Sequence, residues 1–528
     1  MEESKNSRKE GVKNWLKNPY NVAFLIIMLL SILFRAYYFD LTKEQPLWWD
    51  ESEYMAGAKG FAGIVDFALP SLRSPGFSLL ASAFYMIGMN EVMLRFLLAF
   101  VPSIIVLFLT YFCIREMYPD RRIALISLII LSLLWEHLFY SNRFHTENLS
   151  LIFQLLATFV LFKGYLKKKD IYFIKHRYSI AWIVLFSLIA VFFRPGNIIF
   201  IPAILLFMLI LYSSSKYSGK KTATLAGSLI ALFLIVYIYI SSLPREGLLV
   251  YLSSEPISFN SIIVFKGFYE SFVPLIPSLW YYAFIIGFLA ALFTIISQKE
   301  KLKELKDNEN HLELKSDIFN ILLIVSVLAF FIFIMRVKAI EYRWFFPFLI
   351  AMLAITSKGI TTFSTYAGSF INKKSINVLI IIIVGLGFYT QLVHVDSLIK
   401  SKVDSYSQVK DSGLWIKQNS NKEDSIVSAS KPQHIYYSER KVYNFWELAG
   451  DTESNEAVFD QNLEKTRPRY LIISAFENIP AWGYDYSQTH AGMTPVKVYF
   501  ADAEEKQAIL VIYEIDYNNF GKVLNNSS

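Results

Sequence analysis

The 528-residue sequence holds a single cysteine, Cys113, set in an apolar run. An intrachain disulfide is therefore excluded, as is a thiolate metal cluster, and cysteine usage gives no reading of the redox compartment. Charge is also scarce: Asp, Glu, Lys and Arg make up 18% of residues against 54% apolar ones. That balance is too greasy for a soluble protein of this length, and it makes the bilayer the solvent of the chain. The net charge of +7 is too small an excess to indicate a nucleic-acid partner. No internal repeat of fixed period is evident, unlike the paired repeats of many transporters. No small-residue cleavage site follows the apolar run Val22 to Phe34, so the basic N-terminus and this run read as an uncleaved signal anchor.

What is present is a series of apolar segments. They fall at 21–39, 92–114, 122–140, 147–163, 178–193, 197–213, 222–242, 279–297, 317–335, 343–357 and 376–394, giving about eleven spans of the roughly 20 residues that a crossing needs. Phe77 to Ile87 is too short and predicts a helix lying in the membrane interface. With that segment left out of the count, the basic clusters at Lys5–Lys17, Arg115–Arg122, Lys163–Arg177, Lys216–Lys221, Lys299–Lys315 and Lys358–Lys374 all land on one side. The positive-inside tendency then puts the N-terminus in the cytoplasm and everything after Leu398 outside. Counting Phe77–Ile87 as a span would reverse most of those clusters.

Past Ser401 the composition turns soluble. Strand-like runs at Ser425–Ala429, Lys441–Phe445, Tyr470–Ser474, Val496–Phe500 and Ile509–Ile515, with a helical run near Ser407–Gln418, predict a small α/β domain. The expected architecture is a membrane all-α bundle over 1–398, with an interfacial helix in the first external loop, and an external α/β domain over 399–528. The proline-bearing segment Leu243–Ser278 is expected to fold over the membrane surface, and the charged segment Gln298–Asp317 to form a short solvated helix.

Polar residues capable of chemistry gather at the outer ends of the spans. Trp48-Trp49-Asp50-Glu51-Ser52-Glu53-Tyr54 sets three carboxylates behind two indoles at the head of a helix. Such a group can accept a proton from a hydroxyl or hold a cation, and it equally fits an aromatic belt with acids that cap a helix. Arg73-Ser74-Pro75-Gly76 presents a guanidinium on a rigid turn, suited to a lipid phosphate or to plain snorkelling. The hinge Arg143-Phe144-His145-Thr146-Glu147 adds a cation, an imidazole and an acid, with Glu147 also a dipole partner for its own helix. Arg194 and Arg343 lie at two further outer junctions. Outer cations beside a carboxylate fit an anionic lipid head next to a general base.

In their order these features resemble the multispanning GT-C type glycosyltransferases that use lipid-phosphate sugars, the protein O-mannosyltransferases and the aminoarabinose transferases of lipid A. The resemblance rests on Asp50-Glu51 in the first external loop, Arg73-Ser74-Pro75 before the interfacial helix, and Glu91-Val92-Met93-Leu94-Arg95 opening a span. It continues with the inner turn Pro119-Asp120-Arg121-Arg122, the loop from Ser141 to Glu147, and the late Arg343-Trp344-Phe345-Phe346-Pro347. It covers the first 165 residues well and the later spans loosely. Two departures are Pro-Gly in place of the usual Pro-Pro after the basic residue, and Glu147 where relatives often carry Asp.

The resemblance implies transfer of a single sugar from a polyprenyl phosphate, dolichyl or undecaprenyl, to an acceptor hydroxyl on a lipid, glycan or protein at the outer face of the cell membrane. Asp50 and Glu51 are the expected catalytic carboxylates, with Asp50 as general base of an inverting reaction. Arg73, Arg194 and Arg343 are expected to hold the donor phosphate, and Glu147, Arg143, His145 and Tyr54 to bind acceptor or sugar. No cofactor is required on this reading; a divalent cation at Asp50 and Glu147, as in the oligosaccharyltransferases, is the metal-dependent alternative. A transporter without enzymatic activity is the alternative from another class.

Overall fold

The computed structural model describes residues 14–71, 73–213, 224, 227, 231, 278–305, 311–329, 342–450, 455–501 and 506–522. The chain forms two compact units, one of residues 1–41 with 95–400 and the other of residues 42–94 with 401–528.

The first unit is a helical bundle. Among the described residues eight helices are long and apolar enough to cross a membrane: Pro19–Thr42, Glu91–Met117, Glu147–Leu166, His176–Phe193, Pro195–Ser213, Leu279–Ser297, Arg343–Phe370 and the apolar part of Ser375–Asn419. A ninth span results if Arg121–Leu133 and Trp135–Asn142, bent by 53° at their junction, count as one. Of the eleven segments expected, 222–242 lies outside the described residues apart from 224, 227 and 231, as do the segment 330–341 and most of Leu243–Ser278. The helix Leu312–Ala329 carries Glu313, Lys315 and Asp317 in its first turns, which leaves only its later part apolar.

Local chemistry sets where these helices stop. Arg194 ends one span in extended backbone, φ −146° and ψ 108°, the conformation that a following proline favours, and Pro195 opens the next helix. Asp120 caps Arg121–Leu133 by accepting from the amide of Arg122 at 2.9 Å. Two helices meet backbone to backbone: a Cβ at Gly287 would lie 1.9 Å from the carbonyl oxygen of Ile355, and one at Gly359 would lie 1.8 Å from that of Ala283. Small residues permit this approach, and in a lipid solvent close packing is a main source of helix association.

The segment expected as a solvated spacer is partly built into the bundle. Lys299–Glu304 is a short 3-10 helix, whereas Lys315 and Asp317 are buried. Lys358 Nζ bonds Asp317 at 2.5 Å and Glu313 at 2.8 Å, and the Tyr118 hydroxyl donates to Asp317 at 2.8 Å. A buried carboxylate needs such partners to remain charged.

The second unit joins the loop helices Trp49–Phe61 and Pro75–Met86 to the C-terminal domain. Pro75–Met86 has 12 residues, about 18 Å of helix, too short for a hydrocarbon core of about 30 Å. The domain holds a five-stranded sheet in the order Lys441–Tyr443, Ser425–Ser428, Tyr470–Ser474, Ala508–Ile515, Met493–Phe500. The first three strands run parallel, and the last two pair antiparallel with what precedes them. Val427, Leu471, Phe445, Phe459, Leu463 and Tyr486 form its core. The helix Lys431–Ser438 connects domain and loop: the Tyr437 hydroxyl accepts from the Leu47 amide at 2.9 Å, and the Tyr436 hydroxyl meets that of Tyr85 at 2.8 Å and Glu91 at 3.1 Å.

Candidate functional site

In the second unit the acids of the first loop ride on Trp49–Phe61. The helix begins after Trp48, whose backbone is extended and whose amide donates to Glu51 Oε2 at 3.0 Å. Glu51 is fully buried, so it fixes the start of the helix, the capping use that acids near a helix N-terminus serve. Asp50 and Glu53, half a turn to a turn apart, stay partly exposed and converge on Arg73. The guanidinium bridges them: Nη2 pairs with Asp50 Oδ1, and Nε donates to Glu53 Oε2 at 2.5 Å. The second oxygen of Glu53 accepts from the Trp49 indole at 2.9 Å.

Arg73 reaches this position from the turn that precedes Pro75–Met86; its amide donates to the Pro70 carbonyl at 2.9 Å. Burial disfavours its charge, but Asp50 first and Glu53 second more than offset that, so the proton is held above the ordinary arginine range. Tyr54 is buried, with its ring 5.6 Å from the Arg73 guanidinium and 5.6 Å from the Phe77 ring. It forms the wall behind the ion cluster.

In the first unit a separate cluster forms around Glu147, the first residue of its helix. Arg194 Nη2 lies 3.5 Å and Arg343 Nε 3.9 Å from Glu147 Oε1. Arg343 Nη1 also meets His145 Nδ1 at 3.1 Å, and the His145 ring stands edge-on to Tyr140 at 5.0 Å. Arg143 is buried, with its guanidinium 4.7 Å from the Phe139 ring. Two guanidiniums thus approach one carboxylate, and a guanidinium is a group able to meet an anion. Elsewhere in this unit an apolar groove of about 550 Å³ runs between the first and last spans, lined by Leu30, Leu33, Phe34, Leu392 and Val393, with a hydrogen bond of 3.1 Å from Tyr38 to Asp396 at its edge.

The sequence-based selection thus falls into two groups: Asp50, Glu51, Tyr54 and Arg73 in one unit, and Arg143, His145, Glu147, Arg194 and Arg343 in the other. Glu53 is one of the three loop acids and is not among the residues that the sequence singles out. Its helical spacing from Asp50 and Trp49 is the signal that marks it. Among the described residues no three His, Cys, Asp or Glu side chains gather as a metal site would require.

No family model and no curated protein matches the sequence. Solved structures do match in fold. The Archaeoglobus fulgidus oligosaccharyltransferase tethered to an acceptor peptide is 12% identical, with a TM-score of 0.56 over 95% of this chain and 74% of that one. ArnT from Cupriavidus metallidurans in the apo state is 10% identical, with a TM-score of 0.53 over 95% and 98% of the two chains. The same enzyme bound to undecaprenyl phosphate is 11% identical, with a TM-score of 0.54 over 93% and 97%. The chain shares the fold of these structures, a helical membrane bundle with a small C-terminal sheet domain.

Proposed function

We propose that this chain transfers a single sugar from a polyprenyl-phosphate donor to an acceptor hydroxyl, with Asp50 as the general base. The observation that carries the reading is the bridge from Arg73 to Asp50 and Glu53, which sets a carboxylate beside a cation able to meet a phosphate. The fold supports it, because one of the structures it resembles holds undecaprenyl phosphate.

In the proposed reaction the acceptor oxygen attacks the anomeric carbon from the face opposite the phosphate, Asp50 takes the hydroxyl proton, and the bond to the phosphate oxygen breaks with inversion. The polyprenyl phosphate leaves with the electron pair, and Arg73 balances the charge it gains. Proton removal by such a base contributes about a hundredfold to ten-thousandfold. Glu51 serves by holding the Asp50 helix at its start. In the other unit Arg194 and Arg343 are proposed as ligands of an anionic group, and Glu147, His145 and Arg143 as the residues that orient those guanidiniums or an acceptor.

The metal-dependent alternative would place a divalent cation at Asp50 and Glu147; Asp50 is paired with Arg73, and Glu147 has Arg194 and Arg343 at 3.5 and 3.9 Å. Both carboxylates already have cationic partners, and transfer is proposed to continue in the presence of a chelator. The site is proposed to face the exterior of the cell membrane, with the N-terminus in the cytoplasm. The direct test is Asp50→Asn: transfer from polyprenyl-phosphate sugars is lost while the protein stays folded in the membrane. Near-normal turnover would remove Asp50 from this role.

A further inference from the structure

The bridge at Arg73 raises a question of occupancy. If the guanidinium is to meet a donor phosphate, its Nη edge is already taken by Asp50, the proposed base, and a carboxylate paired with a guanidinium is a weakened proton acceptor. The two sides of the bridge differ. Glu53 is tied twice, through Oε2 to Arg73 Nε at 2.5 Å and through Oε1 to the Trp49 indole at 2.9 Å, and its side chain is 13% exposed. Asp50 is 21% exposed and Arg73 26%, so the Nη edge is the side that an incoming ligand reaches.

We infer that the donor phosphate displaces Asp50 from the Nη edge of Arg73 while Glu53 keeps the Nε edge, so that donor binding itself releases the base. The inference rests on the reading of Arg73 as a phosphate ligand. Its chemistry is an exchange of one anion for another on a single guanidinium. Arg suits this because its two edges can be engaged separately. Glu53 is then a positioning residue that keeps Arg73 aimed while its other partner changes. The order of events follows: the donor binds first, and the acceptor meets a carboxylate no longer paired with Arg73. An empty site holds Asp50 in reserve.

The test measures binding of undecaprenyl phosphate to the full-length protein in nanodiscs, for the native chain, Asp50→Asn, Arg73→Ala and the double variant, each checked as monodisperse by size exclusion. Arg73→Ala should weaken binding. Asp50→Asn should tighten it about tenfold, since a competitor for the cation is removed. In the double variant the tightening should disappear, because there is no longer a guanidinium to compete for. An unchanged affinity in Arg73→Ala would overturn both the exchange and the assignment of Arg73 to the phosphate. Weakening by Arg73→Ala, with Asp50→Asn either inert or equally tightening in the Arg73→Ala background, would overturn the exchange alone and point to simple repulsion between anions.

Discussion

Lys59 Nζ lies 2.7 Å from Glu439 Oε1, an ion pair that ties the far end of the Asp50 helix to the C-terminal domain. The same ammonium donates to the Tyr436 carbonyl at 2.8 Å and sits 4.3 Å from the centre of the Tyr436 ring. Burial pushes the Lys59 pKa down, and Glu439 opposes that shift. With Tyr437 holding the Leu47 amide near the start of that helix, one short domain helix and the residue after it grip the first-loop helix at both ends. The consequence is an asymmetry between the two partners.

Glu439→Ala strands a buried ammonium, whereas Lys59→Met leaves an apolar chain of similar length. For buried pairs, loss of one partner costs about 3–5 kcal/mol, and the partial exposure here reduces that to about 1–3 kcal/mol. Thermal unfolding should therefore show Glu439→Ala more destabilised than Lys59→Met, with the double variant close to Lys59→Met. Equal losses in both single variants would refute the asymmetry.

His434 gives the second unit a pH dependence. It is fully buried between the hydroxyls of Ser412 and Ser428, each at 2.8 Å, and burial lowers its pKa from 6.5 to about 4. The folded state keeps it neutral while the unfolded chain takes up a proton below 6.5, so stability is full above that value and falls as pH drops toward about 4. The loss is about 3 kcal/mol. Denaturant titrations from pH 7 to 4 should show this slope in the native chain and a flatter one in His434→Gln; parallel slopes would rule His434 out as the source.

The contact at Gly287 and Gly359 admits no side chain. Gly359→Val should lower the thermal stability of the detergent-solubilised protein by several degrees, through overpacking of about 1–3 kcal/mol or more. Gly385→Ala, where nothing lies within 4 Å of an added Cβ, is the matched control. Similar melting of the two variants would mean that the helices are not in backbone contact.

Membrane orientation is testable with thiols, since Cys113 is buried. Tyr172→Cys, at a position 98% exposed in the basic turn Lys163–Arg177, and Lys422→Cys, exposed in the C-terminal domain, can each be treated with an impermeant maleimide on intact cells. Lys422→Cys should label and Tyr172→Cys should not until the cells are opened. The reverse pattern would turn the proposed active face inward.

Much of this was legible in the sequence. The strands at 425, 441, 470, 496 and 509 appear within a few residues of where the strand-like runs placed them, because short runs rich in β-branched and aromatic residues between turn signals mark strands. The short apolar run after Arg73 became the 12-residue helix expected. What alternation and hydropathy cannot convey is long-range pairing. Nothing local to Lys59 announces Glu439, so the union of residues 42–94 with the C-terminal domain stays hidden. Glu51 and Glu53 are alike in composition, and only helix geometry turns one toward a capping bond with Trp48 and the other toward Arg73. The same limit applies to Lys315 and Asp317, whose charges read as solvated although both are buried.

The most direct measurement is sugar transfer by Asp50→Asn beside the native chain, assayed with radiolabelled polyprenyl-phosphate sugars in membranes where both proteins are present at equal amounts. The expected result is transfer by the native chain and a loss of at least about a hundredfold in the variant, with undecaprenyl phosphate still bound. Transfer at the native rate by Asp50→Asn would contradict the assignment of Asp50 as the base.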